Sequence, residues 1–365
     1  MTRINIWFIL SLFISFGCSK APSHFSYQPI MSEEPLLVSE IGKELDIIEI
    51  QTRYPITGTP TILKSDRYFY LFEQGVVTTL HQIGLNGKVV KSIDFGFDDK
   101  LNADAITQVV LKQDHIGIIS RGNSIVFFDE NLEEVSTEKL PFKAHFHFNL
   151  NEQTTISYNN RIDDLEDYDI LIDRNGVLSK ELPIRKDEYN FVYKSYAPFS
   201  NWNEQVLFSQ AFNDTIYVLD EKGFKPLVIV DFGADAVNKE RFLQIQHAMD
   251  MLTFFNERNY SYLMGEVYGL GNERVLFQVS DKGRQKLGLI DFQSNELTIY
   301  PGIFDNSISA MALHNPQFSK DGELFFGISG ERIMENYDRL PDPFKHQLSD
   351  SYAESFFIFE LTIKN

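Results

Sequence analysis

The residues whose types could do chemistry are few: two histidines, one acidic run and one glycine pair. His145 and His147 alternate along a strand-like stretch, so their imidazoles share one side. Two imidazoles can begin a zinc site, but no third ligand follows at a metal-binding spacing, and the pair reads as a polar strand face. Asp163, Asp164, Glu166, Asp167 and Asp169 form the densest acidic cluster. Carboxylate oxygens suit Ca²⁺, but the run lacks the alternation and central glycine of a Ca²⁺ loop, and reads as a solvated hairpin tip. Gly269-Leu270-Gly271 is a lone G-x-G between two strand-like runs and reads as a hairpin turn. A phosphate loop, a G-x-S-x-G elbow and an H-E-x-x-H helix are all missing from the sequence. No catalytic, cofactor-binding or metal-ligating residue is therefore assigned, and Ca²⁺ is the one metal kept open.

Composition narrows the partners. The chain has 365 residues, 33 basic against 52 acidic, and a formal net charge of −19. Without a basic excess there is no counterion-release term to drive binding to nucleic acid. A single cysteine excludes an intrachain disulfide. With 43% hydrophobic and 14% aromatic residues, the chain can build a large core.

That cysteine, Cys18, ends an apolar run from Ile6 to Gly17 that follows Arg3. Twelve helical residues span about 18 Å, short of a hydrocarbon core of about 30 Å. A positive start, a short apolar stretch and small residues at a cut site describe a signal peptide. The arrangement resembles a bacterial lipoprotein signal, with Ser15 where a Leu-like residue is usual and Ile14 displaced by one. The resemblance implies that residues 1–17 are removed, that Cys18 is acylated, and that the protein is held in the cell envelope, at the outer membrane facing the periplasm. Residues 18–43 begin polar and proline-containing and are expected to be a tether.

From residue 44 onward short strand-like runs alternate with Asn/Asp/Gly turns. One unit recurs: TLHQIG before Leu85-Asn86-Gly87, SIVFFD before Glu130-Asn131, YDILID before Arg174-Asn175-Gly176, TIYVLD before Glu221-Lys222-Gly223, and KLGLID before Ser294-Asn295. The turns at 87, 131, 176 and 223 lie 44 to 47 residues apart. The longer step to 295 contains a helical pattern at 234–258, with Phe242, Ile245, Met249, Leu252 and Phe255 on one face. A period near 45 residues with four strands per unit is that of a propeller blade. The last unit stops at SFFIFEL (355–361), before a fourth strand. The run 44–51 (ELDIIEIQ) is an unpaired strand able to fill that place and close the ring.

Phe212 to Asp220 (FNDTIYVLD), followed by a glycine turn and Ile229-Val230-Asp231-Phe232-Gly233, resembles the fourth-blade segment of Bacteroidetes six-bladed β-propeller lipoproteins. TolB-like and NHL- or gluconolactonase-like propellers share the blade count. The expected fold is all-β: six four-stranded antiparallel blades near 60–97, 105–140, 143–184, 189–233, 261–303 and 308–365. The strand 44–51 completes the last blade, and one helical insertion interrupts the ring.

Two functions follow as expectations. The first is a non-enzymatic binding or scaffold module, monomeric, anchored to the bilayer through acylated Cys18 and offering one face to a protein, peptide or glycan. Its candidate surface is drawn from aromatics at the start of blade four (Tyr193, Tyr196, Trp202) and from the polar insertion 331–354 (Tyr337, Phe344, His346). The second is a gluconolactonase-like hydrolase with a divalent metal in the central channel, held by oxygen ligands from several blades.

Overall fold

The computed structural model describes residues 25–364, except 53–55, 57–59, 75–76, 97–100, 102–105, 113–114, 121–123, 141–143, 152, 160–168, 183–196, 221, 238–244, 246–247, 314–315 and 321–322. Its strands are built from near-continuous apolar runs, such as YFYLF in Tyr68–Glu73, because each blade is buried on both faces by its neighbours. Successive side chains point to opposite sides. Phe69 and Leu71 enter one inter-blade core, and Tyr70 and Phe72 enter the next.

The described residues begin with three short strands, β1 (Phe25–Tyr27), β2 (Ile30–Met31) and β3 (Leu36–Leu37), followed by a one-turn helix, Val38–Ile41, and β4 (Gly42–Ile50). Blade 1 holds β5 (Thr61–Lys64), β6 (Tyr68–Glu73), β7 (Thr78–Gly84) and β8 (Val89–Phe95). Blade 2 holds β9 (Ile106–Lys112), β10 (His115–Ser120), β11 (Ser124–Phe128) and β12 (Glu134–Lys139). Blade 3 holds β13 (Phe146–Asn151), β14 (Thr154–Tyr158), β15 (Ile170–Arg174) and β16 (Val177–Glu181). Blade 4 holds β17 (Phe199–Trp202), β18 (Gln205–Ser209), β19 (Thr215–Asp220) and β20 (Gly223–Val230). Blade 5 holds β21 (Ser261–Leu270), β22 (Arg274–Asp281), β23 (Arg284–Asp291) and β24 (Glu296–Tyr300).

The small strands β25 (Ile303–Phe304) and β26 (Ala312–Leu313) join β3 in a separate three-stranded sheet. With two residues per strand it is a clasp between blades 5 and 6 rather than a seventh blade. Blade 6 holds β27 (Phe318–Lys320), β28 (Glu323–Ser329), β29 (Phe356–Ile363) and, on its outside, β4. The pairing of β4 with β29, Ile50 opposite Phe356 through Leu45 opposite Leu361, closes the ring with the strand expected from the sequence.

First strands of neighbouring blades meet round the centre: β5 with β9, β9 with β13, β17 with β21, β21 with β27, and β27 with β5. Each inter-blade junction has its own apolar core. Phe146 and Tyr158 meet Phe208 between blades 3 and 4; Phe277 and Ile290 meet Val218 between blades 4 and 5; Ile62 and Phe69 meet Phe325 between blades 1 and 6. The turns use the left-handed backbone that glycine favours at Gly87, where φ is +81°. At the Asn131 turn the left-handed residue is Leu132, with φ of 52°, rather than the asparagine.

One expectation changes here. The segment expected as tether carries short strands from Phe25 onward. β1 pairs in parallel with β20, β2 with β24, and β3 with β25. Tyr27, 7% exposed, wedges between blades 4 and 5 and donates from Oη to Asn295 Oδ1 at 2.8 Å. Of the helical insertion expected at 234–258, a 3₁₀ turn at Gly233–Asp235 and a helix at Ala248–Glu257 are described, and residues 238–244 and 246–247 lie outside the described residues. Of its expected stripe, Phe242 lies outside the described residues, as do the side chains of Met249, Leu252 and Phe255. The helix is seated by Phe254, which stacks on Tyr260 with ring centroids 5.2 Å apart and lies edge-on to Phe212.

Candidate binding face

Each blade is an antiparallel meander, so its connections emerge alternately at the two ends of its strands. At one end emerge the links between first and second strands and between third and fourth strands. Among these none exceeds the five residues of 129–133. At the other end emerge the links between second and third strands and between blades. These include 159–169, 182–198, 231–260, 301–317 and 330–355. Every long connection therefore joins its strands at the same end of the ring.

The 330–355 connection is the most fully built of them. Ser329 Oγ accepts from Arg332 N at 3.4 Å and caps the helix Gly330–Glu335. A side chain at position 330 would collide with the carbonyl oxygen of Tyr352, so the closely returning chain needs glycine. Short turns at Tyr337–Arg339 and Tyr352–Glu354 and a helix at Asp342–Lys345 complete the segment. Ile333, Leu340 and Phe344 point down into the core shared with Phe357 and Phe359, and Phe344 meets Phe359 edge-on at 6.4 Å. Glu49 on β4 accepts from Ser355 Oγ at 2.7 Å, from Ser349 N at 3.2 Å and from Ser349 Oγ. Burial pushes the Glu49 carboxyl up, but these hydrogen bonds outweigh it and hold its pKa below the usual value. The insertion is thus fastened to the strand that closes the ring.

What it leaves to solvent is a mixed surface. Met334 is 50% and Tyr337 37% exposed, and His346, later in the same insertion, is exposed as well. The Tyr337 ring stacks on Tyr352 at 5.5 Å with an 18° interplanar angle, and Lys345 Nζ sits 5.2 Å from its centroid. The exposed Tyr337 ring is thus held by stacking on Tyr352 and by a cation–π contact with Lys345.

The six surface residues expected from the sequence separate. Tyr337 and His346 belong to this face. Phe344 does not face a partner: it is 1% exposed, because the insertion needs an apolar foot in the core. Trp202 lies half-buried at the opposite end of its blade, packed on Phe292 at 5.4 Å. Tyr193 and Tyr196 lie outside the described residues, as does Cys18.

The chemistry-bearing residues take structural places. His147 Nδ1 is 3.0 Å from Ser157 Oγ, and the backbone N–H of His147 donates to Gln108 Oε1 of blade 2 at 2.6 Å. Burial pushes its imidazole pKa down to about 4, so the ring is neutral. His145, also buried, begins the same blade. Among the described residues no group of three or more His, Cys, Asp or Glu side chains is placed to hold a metal ion. Asp163, Asp164, Glu166 and Asp167 lie outside the described residues. Asp169 is not on a solvated tip: it is half-buried, and burial raises its pKa to about 7 against the lowering hydrogen bond with Gln210. Gly269 lies within β21, and Gly271 takes a positive φ of 57° in the turn after it.

Sequence reasoning missed two carboxylate sites. Asp305, fully buried, accepts from Ser307 N and Oγ at 2.8 and 2.7 Å and from Ser309 N and Oγ, both at 2.6 Å. Burial raises its pKa, and those donors more than reverse the shift, leaving it low. The D-x-S-x-S spacing of 305–309 was the available signal. At the blade 1–6 seam, Lys64 Nζ contacts Glu323 at 3.2 Å and Glu360, with both Phe69 and Phe325 near the ammonium. Burial lowers the Lys64 pKa, but the two carboxylates more than offset this and raise it. Glu360 is raised by burial and by neighbouring Glu323, since two carboxylates share one cation.

A closed ring of six four-stranded blades, with a carboxy-terminal blade completed by an amino-terminal strand, defines a six-bladed β-propeller. The chain belongs to the DUF5128 family, described as a 6-bladed beta-propeller, whose profile matches residues 105–325. It is similar in structure to BF0058 of Bacteroides fragilis NCTC 9343, described as an exported protein. The TM-score is 0.68 at 13% identity, over 94% of this chain and 100% of that one. Looser likenesses include the Pan2 WD40 domain of Neurospora crassa, with TM-score 0.39 and 10% identity over 92% of this chain and 99% of that one. BamB of Moraxella catarrhalis gives TM-score 0.37 and 11% identity over 78% of this chain and 75% of that one. No curated protein matches the sequence.

Proposed function

We propose that this protein is an exported, lipid-anchored propeller that binds a peptide or glycan partner through the face bearing its long connections, without itself catalysing a reaction. The observation that carries this reading is that every long connection joins its strands at one end of a rigid ring. Recognition in such folds falls on loops that a scaffold positions, and here the 330–355 insertion is seated in the core while Met334, Tyr337 and His346 stay open. Anchoring rests on the apolar run 6–17 ending at Cys18. An envelope address is in keeping with the exported description of the Bacteroides structure. Among the described residues no helix is long and apolar enough to cross a membrane.

The test is recovery of crosslinked partners from the native membrane with the unaltered chain and with a triple variant, Met334→Ser, Tyr337→Ala and His346→Ala. Loss of a partner by the triple variant at an unchanged melting temperature supports the reading. Retention of that partner by this variant, with its loss on altering short turns such as Asn86 and Asn175 at the opposite end, overturns it.

A further inference from the structure

The first described residues are attached to the outside of one blade. β1 adds as a fifth strand to β20, the outermost strand of blade 4, with Phe25 opposite Val228 and Tyr27 opposite Val230. Asp231 N donates to the Tyr27 carbonyl at 2.8 Å. The chain then passes to blade 5, where Ser32 N donates to Ile299 O at 2.9 Å. It goes on to the small sheet, where Leu36 N donates to Gly302 O at 2.9 Å, and enters blade 6 as β4. This belt runs one way round the rim, from blade 4 through 5 to 6. With Tyr27 buried and bonded to Asn295, its start is held in place on blade 4.

Only six residues, 19–24, separate Cys18 from Phe25. Seven Cα steps reach at most about 24 Å when fully extended. A blade of four strands is about 14 Å from inner to outer strand, and opposite rims of a ring with a central channel lie about 40 Å apart. Blade 1 stands opposite blade 4 in a ring of six. A lipid at Cys18 can therefore bring the blade 4 rim to the bilayer and cannot do the same for the blade 1 rim.

We infer that the protein is tethered by its rim at blade 4, so that the outer edge of this blade lies next to the lipid surface while the blade 1 edge points away. This rests on acylation of Cys18 proposed above. It adds the side of the molecule that meets the membrane.

The test uses the full acylated chain in phosphatidylcholine vesicles containing a spin-labelled lipid. Because the chain has a single cysteine, which carries the lipid, an added thiol is the one free thiol for labelling. Two variants carry a fluorophore: Lys225→Cys, exposed on the outer strand of blade 4, and Val90→Cys, exposed on the outer strand of blade 1. The expected result is severalfold greater quenching at 225 than at 90, with the difference abolished by a flexible Gly-Ser linker of about 30 residues inserted before Phe25. Equal quenching in the floated, acylated native-length protein, or greater quenching at 90, overturns the rim orientation alone. Protein from the native membrane whose Cys18 carries no acyl chain by mass spectrometry overturns the anchor and this orientation together.

Discussion

Replacing Phe344 by alanine asks whether the 330–355 insertion is part of the propeller or an appendage. The ring is 1% exposed, lies edge-on to Phe359 at 6.4 Å, and shares its core with Ile333, Leu340, Phe357 and Leu361. Truncating a buried phenylalanine costs about 3–5 kcal/mol in lost transfer energy and residual cavity. For a body of roughly 340 residues, an unfolding entropy of about 2.1 cal/mol/K per residue amounts to about 0.7 kcal/mol/K. The melting temperature should then fall by about 4–7 °C. Tyr337→Ala, on the exposed side of the same segment, should move it by under about 1 °C. Calorimetry provides the midpoints, and hydrogen exchange across 330–355 shows whether loss is local or global. By the same reasoning, substituting a short Gly-Ser link for residues 331–354 should destabilise the ring, because it uncovers Phe357 and Phe359. An unchanged melting temperature for Phe344→Ala, with fast exchange confined to the insertion, would refute the view that the insertion belongs to the cooperative core.

Lys64→Met should lower stability by about 3 kcal/mol, because it leaves Glu323 and Glu360 facing each other beside Phe69 and Phe325 without a cation. Adding Glu360→Gln should restore much of the urea midpoint. Deleting residues 19–24 should leave the melting temperature unchanged, whereas Tyr27→Ala should lower it by opening the blade 4–5 wedge. Asp305 and Glu49 have depressed folded-state pKa values, so each contributes stability present above the unfolded carboxylate pKa and lost as pH falls through the folded one. Urea midpoints followed downward from pH 7 should drop in the acid range, with a shallower drop in Asp305→Asn. Asp169 has the opposite sign: with its pKa raised to about 7, its penalty is absent below the unfolded pKa and complete only above pH 7. Asp169→Asn should therefore stabilise the protein at pH 8, by on the order of 3 kcal/mol, and by much less at pH 4; equal effects at the two pH values would count against a buried carboxyl.

What could be read from the chain alone follows the length of each structural signal. Blades were legible because their middle strands are largely apolar runs between turns of similar composition, and the turns recur at nearly one spacing. Closure was legible because β4, at nine residues, is longer than most blade strands yet has no partner nearby in sequence. The belt was not. β1, β2 and β3 have two or three residues each, too few for any periodicity, and their partners lie some 200 to 270 residues away in pairs such as Phe25 with Val228 and Leu36 with Ile303. The insertion was misread for a related reason. Only Ile333, Leu340 and Phe344 carry it into the core, and they sit on separate short elements, the helix ending at Glu335 and a new one starting after Pro341, so no continuous stripe forms and the segment looks polar throughout. Phe344 and Tyr337 are both aromatics in one loop, and nothing local tells which faces the core. That choice is made by Phe357 and Phe359 on β29, which alternate toward the insertion and need a cover. A propeller's repeats declare themselves through their period, whereas the segments that set it apart from other propellers are short and non-repeating, and take their conformation from the ring they rest on.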